Sequence, residues 1–190
     1  MKILYLGPFR TDFINRLKMY NDTVSCVEEK ISLDYIRKNK FQIVISYGYR
    51  HIISKDIIEY MQNKIINLHI SYLPWNRGAD PNFWSFFEDT KKGVTIHLID
   101  EDIDTGDIII QKEVSFQQNV TLRESYQILT KEIENLFFEY WSDIRIGKFY
   151  TFPQDFNEGS LHYSKDKEKY NFLLTDGWDT DVSKLKEMRK

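Results

Sequence analysis

Short apolar runs alternate with amphipathic segments along the first half of the chain. The runs predict four β-strands, at 2–7, 23–28, 41–48 and 64–69. The segments between them predict three α-helices, at 11–20, 32–39 and 54–62, the first capped by Thr11 or Asp12 and the second by Ser32. Alternation of this kind predicts an α/β fold with a mostly parallel sheet and helices on both faces.

The pattern changes in the second half of the chain. Apolar runs at 93–100 and 107–116 predict two strands joined by an acidic turn, like a β-hairpin, although their direct pairing is left open. A long helix follows, because apolar residues recur every three or four positions in one stripe: Leu122, Tyr126, Leu129, Ile133, Leu136, Tyr140 and Ile144. Thr121 and Glu124 form a capping box at its start, and Gly147 fits a stop at its end. We expect the stripe to pack in the core; packing of part of it on a partner subunit, in a homodimer, is the alternative.

Composition and charge narrow the class of protein. The chain has 190 residues, of which 42% are hydrophobic, enough for one well-buried core. A net charge of −3 gives no reason to expect a nucleic acid as partner. The N-terminus lacks the pattern of a signal peptide, and no apolar segment has the length of a membrane span. We therefore expect no membrane contact and a cytoplasmic location, which the single cysteine, Cys26, also fits.

Polar residues occupy every second position at the end of the fourth predicted strand. Strand side chains alternate between faces, so Asn67, His69 and Ser71 share one face. The strand ends soon after, at Pro74, which places this face near the carboxyl edge of the sheet, where open α/β sheets bind ligands. A lone buried histidine or turn asparagine is ordinarily structural, but the pair, followed by an irregular loop at 74–81, favours a site.

The acidic turn offers a second candidate. Glu101 and Asp102 are most simply solvated residues of the turn. Asp104 differs because it precedes a Thr-Gly turn that leads into a strongly apolar strand, so its carboxylate can lie at the sheet edge and face His69. The sequence has no glycine-rich dinucleotide turn, P-loop or serine-nucleophile motif. Its histidines lack zinc-ligand spacing, so no metal is predicted, and His97 is interpreted as a structural residue of its strand.

Two stretches carry a resemblance to a known family. They are "NLHISYLPWNRGADP" at 67–81 and "GVTIHLIDEDIDTGDIIIQ" at 93–111. Their order and spacing resemble the 10-formyltetrahydrofolate-dependent formyltransferases, whose pattern is Asn-x-His-x-Ser-x-Leu-Pro, then Gly-Val-Thr, then Asp-x-Gly. The match covers roughly 41–111, and "YGYRHII" at 47–53 is most similar to the branch that formylates nucleotide-linked amino sugars.

The resemblance implies a Rossmann-like fold with a shortened N-terminal half. It implies a catalytic domain at 1–150 and an extension at 151–190 that packs on the same domain or on a partner subunit. It also implies three catalytic residues. Asn67 donates to the oxyanion of the tetrahedral intermediate, His69 donates a second hydrogen bond and moves a proton, and Asp104 orients His69 or relays the proton of the amine through water. This chemistry needs no metal.

The resemblance also implies the two reactants. The formyl donor is 10-formyltetrahydrofolate, whose pterin is held by main-chain groups at these positions: Tyr47, Gly48, Tyr49, Asp100 and Ile103. The acceptor is the amine of a dideoxy amino sugar linked to dTDP, UDP or GDP, used in surface polysaccharide synthesis. It is faced by three residues of the loop, namely Trp75, Arg77 and Gly78.

Other acceptors stay open at this point. Ala79 stands where some sugar formyltransferases carry a second arginine, so the resemblance does not name the sugar. The alternatives are a formyltransferase that acts on methionyl-tRNA or another small amine, and a non-catalytic module that binds folate or a sugar nucleotide.

Overall fold

The computed structural model of the protein describes residues 1–117 and 119–187. Its helices and strands, in chain order, are β1 (Lys2–Leu6), α1 (Thr11–Lys18), β2 (Thr23–Val27), α2 (Leu33–Asn39), β3 (Ile43–Ser46), α3 (Lys55–Met61), β4 (Ile65–His69), β5 (Arg77–Gly78), α4 (Pro81–Phe87), β6 (Gly93–Leu98), β7 (Ile108–Glu113), α5 (Leu122–Ile144), β8 (Leu161–His162), α6 (Ser164–Glu168) and α7 (Val182–Glu187). Two short 3-10 turns, Asn171–Leu173 and Gly177–Asp179, lie between α6 and α7. None of the helices in these described ranges is both long and apolar enough to cross a membrane.

The strands form one main sheet of six strands in the order β2-β1-β3-β4-β6-β7. The first four of these pair in parallel, as the strand–helix alternation predicts. β6 then runs antiparallel to β4, and β7 runs antiparallel to β6. The predicted α/β class is therefore confirmed, and the two strands joined by the acidic turn do pair directly. A separate pair, β5 with β8, joins the loop after β4 to the C-terminal part of the chain.

Helices cover both faces of the sheet. On one face, α1 and α5 pack against alternate residues of the strands, and the centre of this cluster contains Phe13, Ile45 and Trp141. On the other face, α2 and α3 pack around Leu6 and Val44. Successive side chains of β3 are thus buried on opposite faces of the sheet, which explains why its sequence is apolar almost throughout.

The helix caps correct one prediction and confirm another. Ser32 caps α2, since its hydroxyl accepts the N–H of Tyr35 at 3.3 Å. Neither Thr11 nor Asp12 caps α1, because both already lie inside the helix. The N-cap is Arg10, whose backbone is extended and whose side chain makes no capping hydrogen bond. The Arg10 side chain is therefore free of the cap and turns towards the site described below.

The long helix α5 begins with the predicted capping box. Glu124 donates its N–H to the Thr121 hydroxyl at 3.1 Å, and the Glu124 carboxylate accepts the Thr121 N–H at 2.8 Å. Gly147 follows the helix with φ +72° and donates its N–H to the carbonyl of Ile144, consistent with a stop. The predicted burial of one residue in the stripe is wrong. Tyr140 is 37% exposed, and fully buried Trp141 occupies the core in its place.

The part of the chain after residue 150 packs on what precedes it. Phe152 forms a β-bridge with Ile108, and β8 pairs with β5. The imidazole of His162 stacks on Trp84 with 3.9 Å between ring centres. A division at residue 150 and contact of the extension with a partner subunit stay predictions, and positions 188–190 lie outside the described residues.

The buried stripe of α5 yields a stability test. Ile133→Ala should lower the free energy of unfolding by about 2–5 kcal/mol, because it removes a fully buried side chain between helix and sheet. Tyr140→Ala should cost about 1 kcal/mol or less, because Tyr140 lies at the exposed edge of the stripe. Chemical denaturation of both variants measures the difference. Equal losses would contradict this placement of the helix.

Candidate active site

Four polar side chains share one face of the sheet near the end of β4 because of the register between β4 and β6. Asn67 lies opposite His97, and His69 lies opposite Thr95, so all of them point to one face of the sheet. Asn67 and His69 occupy the predicted position at the carboxyl end of β4. His97 was interpreted as structural, but it lies beside Asn67 in the site. Its two-residue alternation was visible in the sequence, whereas the antiparallel register that brings it here was not.

The turn after β6 delivers Asp104 to the same place. Asp104 has a left-handed backbone, with φ +53°. Gly106, two residues on, lies so close to β6 that an added Cβ would come within 2.0 Å of the Leu98 carbonyl oxygen, so only glycine fits. Gln154 of the extension donates to the carbonyl oxygens of both Asp104 and Gly106, at 2.9 and 2.8 Å. The turn is therefore held from both sides.

The Asp104 carboxylate is the centre of the polar cluster. One oxygen accepts a hydrogen bond from the Asn67 amide at 3.0 Å, and the other accepts the backbone N–H of Gly78 at 2.9 Å. Nδ1 of His69 lies 3.6 Å from the second oxygen, and Nε2 of His97 lies 3.4 Å from the first. The structure thus brings Asn67, His69 and Asp104 together; their catalytic roles stay predictions.

The Asn67 amide uses both of its hydrogens within the protein. Nδ1 of His97 lies 2.7 Å from the Leu98 carbonyl oxygen, which can only accept, so this nitrogen carries a hydrogen. In neutral His97 the other nitrogen is then bare and accepts the second Asn67 hydrogen at 3.1 Å. The bond to His97 lacks the charge assistance of the bond to Asp104. Donation by Asn67 to an oxyanion therefore requires release of the His97 contact first.

His69 is fixed as a particular tautomer by a backbone carbonyl. Its Nε2 lies 3.0 Å from the carbonyl oxygen of Asn76, so Nε2 carries the hydrogen and Nδ1 is bare in the neutral ring. Asn76 is fully buried and has φ +59°. Its N–H donates to the Ser160 hydroxyl at 3.0 Å, and its side-chain oxygen accepts from Thr90 at 2.8 Å. Asn76 belongs to the first motif stretch, but the sequence does not predict its contact with His69.

Charge and burial set opposite protonation states for the two ionisable groups. Burial by itself raises the pKa of Asp104, but the imidazole of His69 and the surrounding hydrogen bonds lower it further, so the pKa lies well below its usual range. Burial lowers the pKa of His69 below its usual 6.5, although the Asp104 carboxylate opposes this shift. At neutral pH the site pairs a carboxylate with an uncharged imidazole.

A cavity of about 250 Å³ opens onto this cluster. The predicted pterin residues Tyr47, Gly48 and Tyr49 line it, and Gly78 of the predicted substrate loop lines it as well.

Two further side chains on its wall, Arg10 and Tyr126, were not found from the sequence. The Arg10 guanidinium lies 4.1 Å from the centre of the Tyr47 ring and donates to the Tyr126 hydroxyl at 3.4 Å. No motif marks them, because one is the N-cap of α1 and the other lies in α5, more than a hundred positions apart.

Four predicted binding residues lie outside the lining of this cavity. The guanidinium of Arg77 lies over the ring of Phe156, at 5.1 Å. Trp75 contributes its carbonyl oxygen to a hydrogen bond within the loop. Asp100 is exposed and accepts a hydrogen bond from the Thr105 hydroxyl, and Ile103 is half-buried beside it in the turn. Their parts in binding folate or substrate stay predictions.

Comparison with known proteins identifies the family. The family model described as formyl transferase matches residues 18–140, a range that contains the whole polar cluster. The chain belongs to the formyl transferase family. This confirms the resemblance inferred from the two motifs.

Relatives of two kinds are similar to this formyltransferase chain. A methionyl-tRNA formyltransferase of Thermodesulfovibrio yellowstonii is 37% identical over 170 residues, which are 84% of this chain and 52% of the relative. The chain thus spans about half the length of the curated relatives it matches.

Among solved structures, the formyltransferase PseJ from Anoxybacillus kamchatkensis is 53% identical, with a TM-score of 0.96 over the whole of both chains. That structure is a complex with UDP-4,6-dideoxy-4-formamido-L-AltNAc and tetrahydrofolate. An N-formyltransferase from Helicobacter canadensis, in complex with folinic acid and dTDP-3-aminofucose, is 22% identical. It has a TM-score of 0.71 over 87% of this chain and 72% of its own, and this likeness shows the fold alone.

The hydrogen-bond geometry of His69 makes a spectroscopic prediction. In the folded protein His69 should titrate below 6.5, because burial disfavours its cation, and its neutral form should carry the hydrogen on Nε2. Two-bond ¹⁵N–¹H NMR spectra of protein labelled at histidine measure both quantities, with the protein unfolded in urea as reference. A neutral form protonated at Nδ1, or a pKa above the unfolded value, would contradict the structure.

Proposed function

We propose that the protein transfers a formyl group from 10-formyltetrahydrofolate to the amine of a nucleotide-linked dideoxy amino sugar. The observation that carries the proposal is the cluster of Asn67, His69 and Asp104 at the wall of one cavity. A module that only binds folate or a sugar nucleotide has no use for a buried carboxylate beside a neutral imidazole. Placement of this kind suits an acyl transfer that needs a proton acceptor.

His69 fits the part of proton acceptor. Transfer forms a C–N bond between the amine and the formyl carbon and breaks the formyl bond to the folate nitrogen. The amine loses a proton in this exchange, and the folate nitrogen gains one. Because the Asn76 carbonyl holds the hydrogen of Nε2, the bare Nδ1 of His69 can take the proton directly or through a water.

Asp104 and Asn67 fit an electrostatic role. A carboxylate 3.6 Å from His69 Nδ1 stabilises the imidazolium that forms when the proton arrives. The Asn67 amide, once released by His97, can donate to negative charge that develops on the formyl oxygen. One such donor contributes on the order of 3–4 kcal/mol in comparable sites.

The residues present also fit the folate donor, which supplies the activated formyl group. Tyr47, Gly48 and Tyr49 line the cavity at the end of β3, and Gly48 has φ +70°. The chain after β1 and the chain after β3 lie very close together there. A Cβ added to Gly7 would come within 2.1 Å of the Tyr47 carbonyl oxygen, so only glycine fits at this position. Gly48 lines the cavity with main-chain atoms alone, which suits a flat heterocycle recognised by backbone groups.

The choice of acceptor rests on how far each likeness extends. The likeness to PseJ covers the whole of both chains. The likeness to the methionyl-tRNA formyltransferase covers 84% of this chain but only 52% of that relative. The net charge of −3 also lacks the basic excess of a tRNA-binding surface. A sugar nucleotide is therefore the preferred acceptor, and methionyl-tRNA is the second candidate. Use of the product in surface polysaccharide, a cytoplasmic location and a homodimer stay predictions.

Substitution of the two residues on β4 tests catalysis. His69→Ala and Asn67→Ala should each lower turnover by about two orders of magnitude or more. Tetrahydrofolate should still bind, because the substitutions leave the Tyr47–Tyr49 wall intact. Asn15→Ala on the exposed surface of α1 is the matched control and should keep wild-type turnover. Near-normal turnover in either β4 variant would overturn the assignment.

Competing acceptors test the substrate class. The enzyme should formylate a nucleotide-linked dideoxy amino sugar with 10-formyltetrahydrofolate, the UDP-linked sugars being the first to try. Added tRNA should neither compete nor bind with the steep salt dependence of a polyanion ligand. Efficient formylation of methionyl-tRNA at physiological salt, with no turnover of any sugar nucleotide, would select the second candidate.

A further inference from the structure

A second cavity, of about 190 Å³, adjoins the one at the catalytic cluster. It lies between the start of α4, the first turns of α5 and the C-terminal extension. Ile70, Pro81 and Tyr126 line both cavities, so the two are neighbours across a shared wall. Neither alone reaches the roughly 300–1,000 Å³ of a usual ligand pocket, whereas the two together do. A ligand that reacts at His69 can therefore extend past Tyr126 into the second space.

The second cavity offers an aromatic surface and a pair of opposite charges. The indole of Trp178 meets the Tyr126 ring edge to face, with 5.7 Å between centres, and 47% of Trp178 stays exposed. The ammonium of Lys167 lies 5.9 Å from the indole and forms an ion pair with Asp80. An exposed indole next to a donor–acceptor pair suits a planar ring with polar edges.

The segment that carries Trp178 is bonded to the first turn of α5 through the two residues that follow the tryptophan. Asp179 accepts two hydrogen bonds from the Arg123 guanidinium, at 2.7 and 3.2 Å. The Leu122 N–H donates to the Thr180 carbonyl at 3.0 Å. Trp178 is thus held at the cavity before any ligand arrives, which reduces the entropy cost of binding.

We propose that this cavity binds the base of the sugar nucleotide, and that the base is uracil or thymine. The inference rests on the proposed function and deepens it. Uracil and thymine present a carbonyl oxygen next to an N–H on a single ring. That edge matches the donor and acceptor of the Lys167–Asp80 pair, while the ring face stacks on Trp178. Cytosine has an amino group in place of that carbonyl and would set a donor against the Lys167 ammonium.

Arg10 lies between the proposed base site and the catalytic cluster, where the diphosphate of the sugar nucleotide would pass. Its guanidinium contacts the Tyr126 hydroxyl at the boundary of the two cavities and lies 3.8 Å from Glu134. A diphosphate that links a base beside Trp178 to a sugar beside His69 passes this boundary. The guanidinium can then pair with phosphate oxygens through two parallel hydrogen bonds. Arg10 is in this respect better placed than Arg77, whose side chain packs on Phe156.

Binding of UDP alone tests the base site. Calorimetry should give a dissociation constant for UDP that Trp178→Ala raises about tenfold or more, because the base loses its stacking surface. Trp178→Phe keeps a ring there and should restore most of the affinity. Phe172→Ala, an exposed aromatic of the same extension that does not line the cavity, is the matched control and should bind UDP as wild type does.

Comparison of the affinities for UDP and CDP tests whether Lys167 and Asp80 recognise the hydrogen-bonding edge of the base. The wild type should prefer UDP by about tenfold, because an unmatched hydrogen-bonding group costs that much in affinity. Lys167→Met retains the stem over Trp178 and removes the charge, so the preference should shrink while CDP binding changes little.

The outcomes separate this inference from the proposed function. If the enzyme formylates a UDP-linked amino sugar but Trp178→Ala binds UDP like wild type, the base site is overturned and the function stands. If UDP binds, Trp178→Ala weakens it and no amino sugar is formylated, the base site stands and the function is overturned. Equal affinity for CDP and UDP in the wild type would overturn the choice of base.

Discussion

The need to satisfy one largely buried carboxylate shapes the whole site. A buried charge is costly unless it is hydrogen-bonded on most sides, and Asp104 meets this demand with donors from separate segments. The Asn67 amide comes from β4 and the Gly78 N–H from the loop that follows it. The carboxylate thus fixes the relative positions of a strand, a loop and the turn between β6 and β7. The imidazole of His69 lies beside this carboxylate, and burial lowers its pKa.

The C-terminal extension supports this cluster from outside. Gln154 binds the carbonyl oxygens of the Asp104 turn, and Ser160 accepts the N–H of Asn76, whose carbonyl selects the His69 tautomer. The positions of both Asp104 and His69 therefore depend on residues after 150. The same extension goes on to form the wall around Trp178. In our proposals, this extension thus orients the proton acceptor and binds the base.

Much of the fold was predictable because it depends on local periodicity. Alternation by two placed Asn67 and His69 on one face, and recurrence by three or four marked α5. What failed depended on long-range packing. His97 joins the site through the register of β4 with β6, and Tyr140 is displaced from the core by Trp141. Arg10 lies at the site because α1 begins one residue after it and its side chain makes no capping hydrogen bond. Asn76 joins the site because its left-handed backbone directs its carbonyl oxygen towards His69.

Turnover of Asp104→Asn tests the central claim most directly. The amide has the shape of the carboxylate but not its charge, so it can no longer stabilise a proton on His69. We predict that turnover falls by about two orders of magnitude or more, while the Michaelis constants of both substrates change little. Thermal stability should fall as well, because the amide keeps only one acceptor oxygen for the Asn67 and Gly78 donors. Turnover near that of the wild type would show that the charge of Asp104 does not organise the chemistry, and would contradict the account.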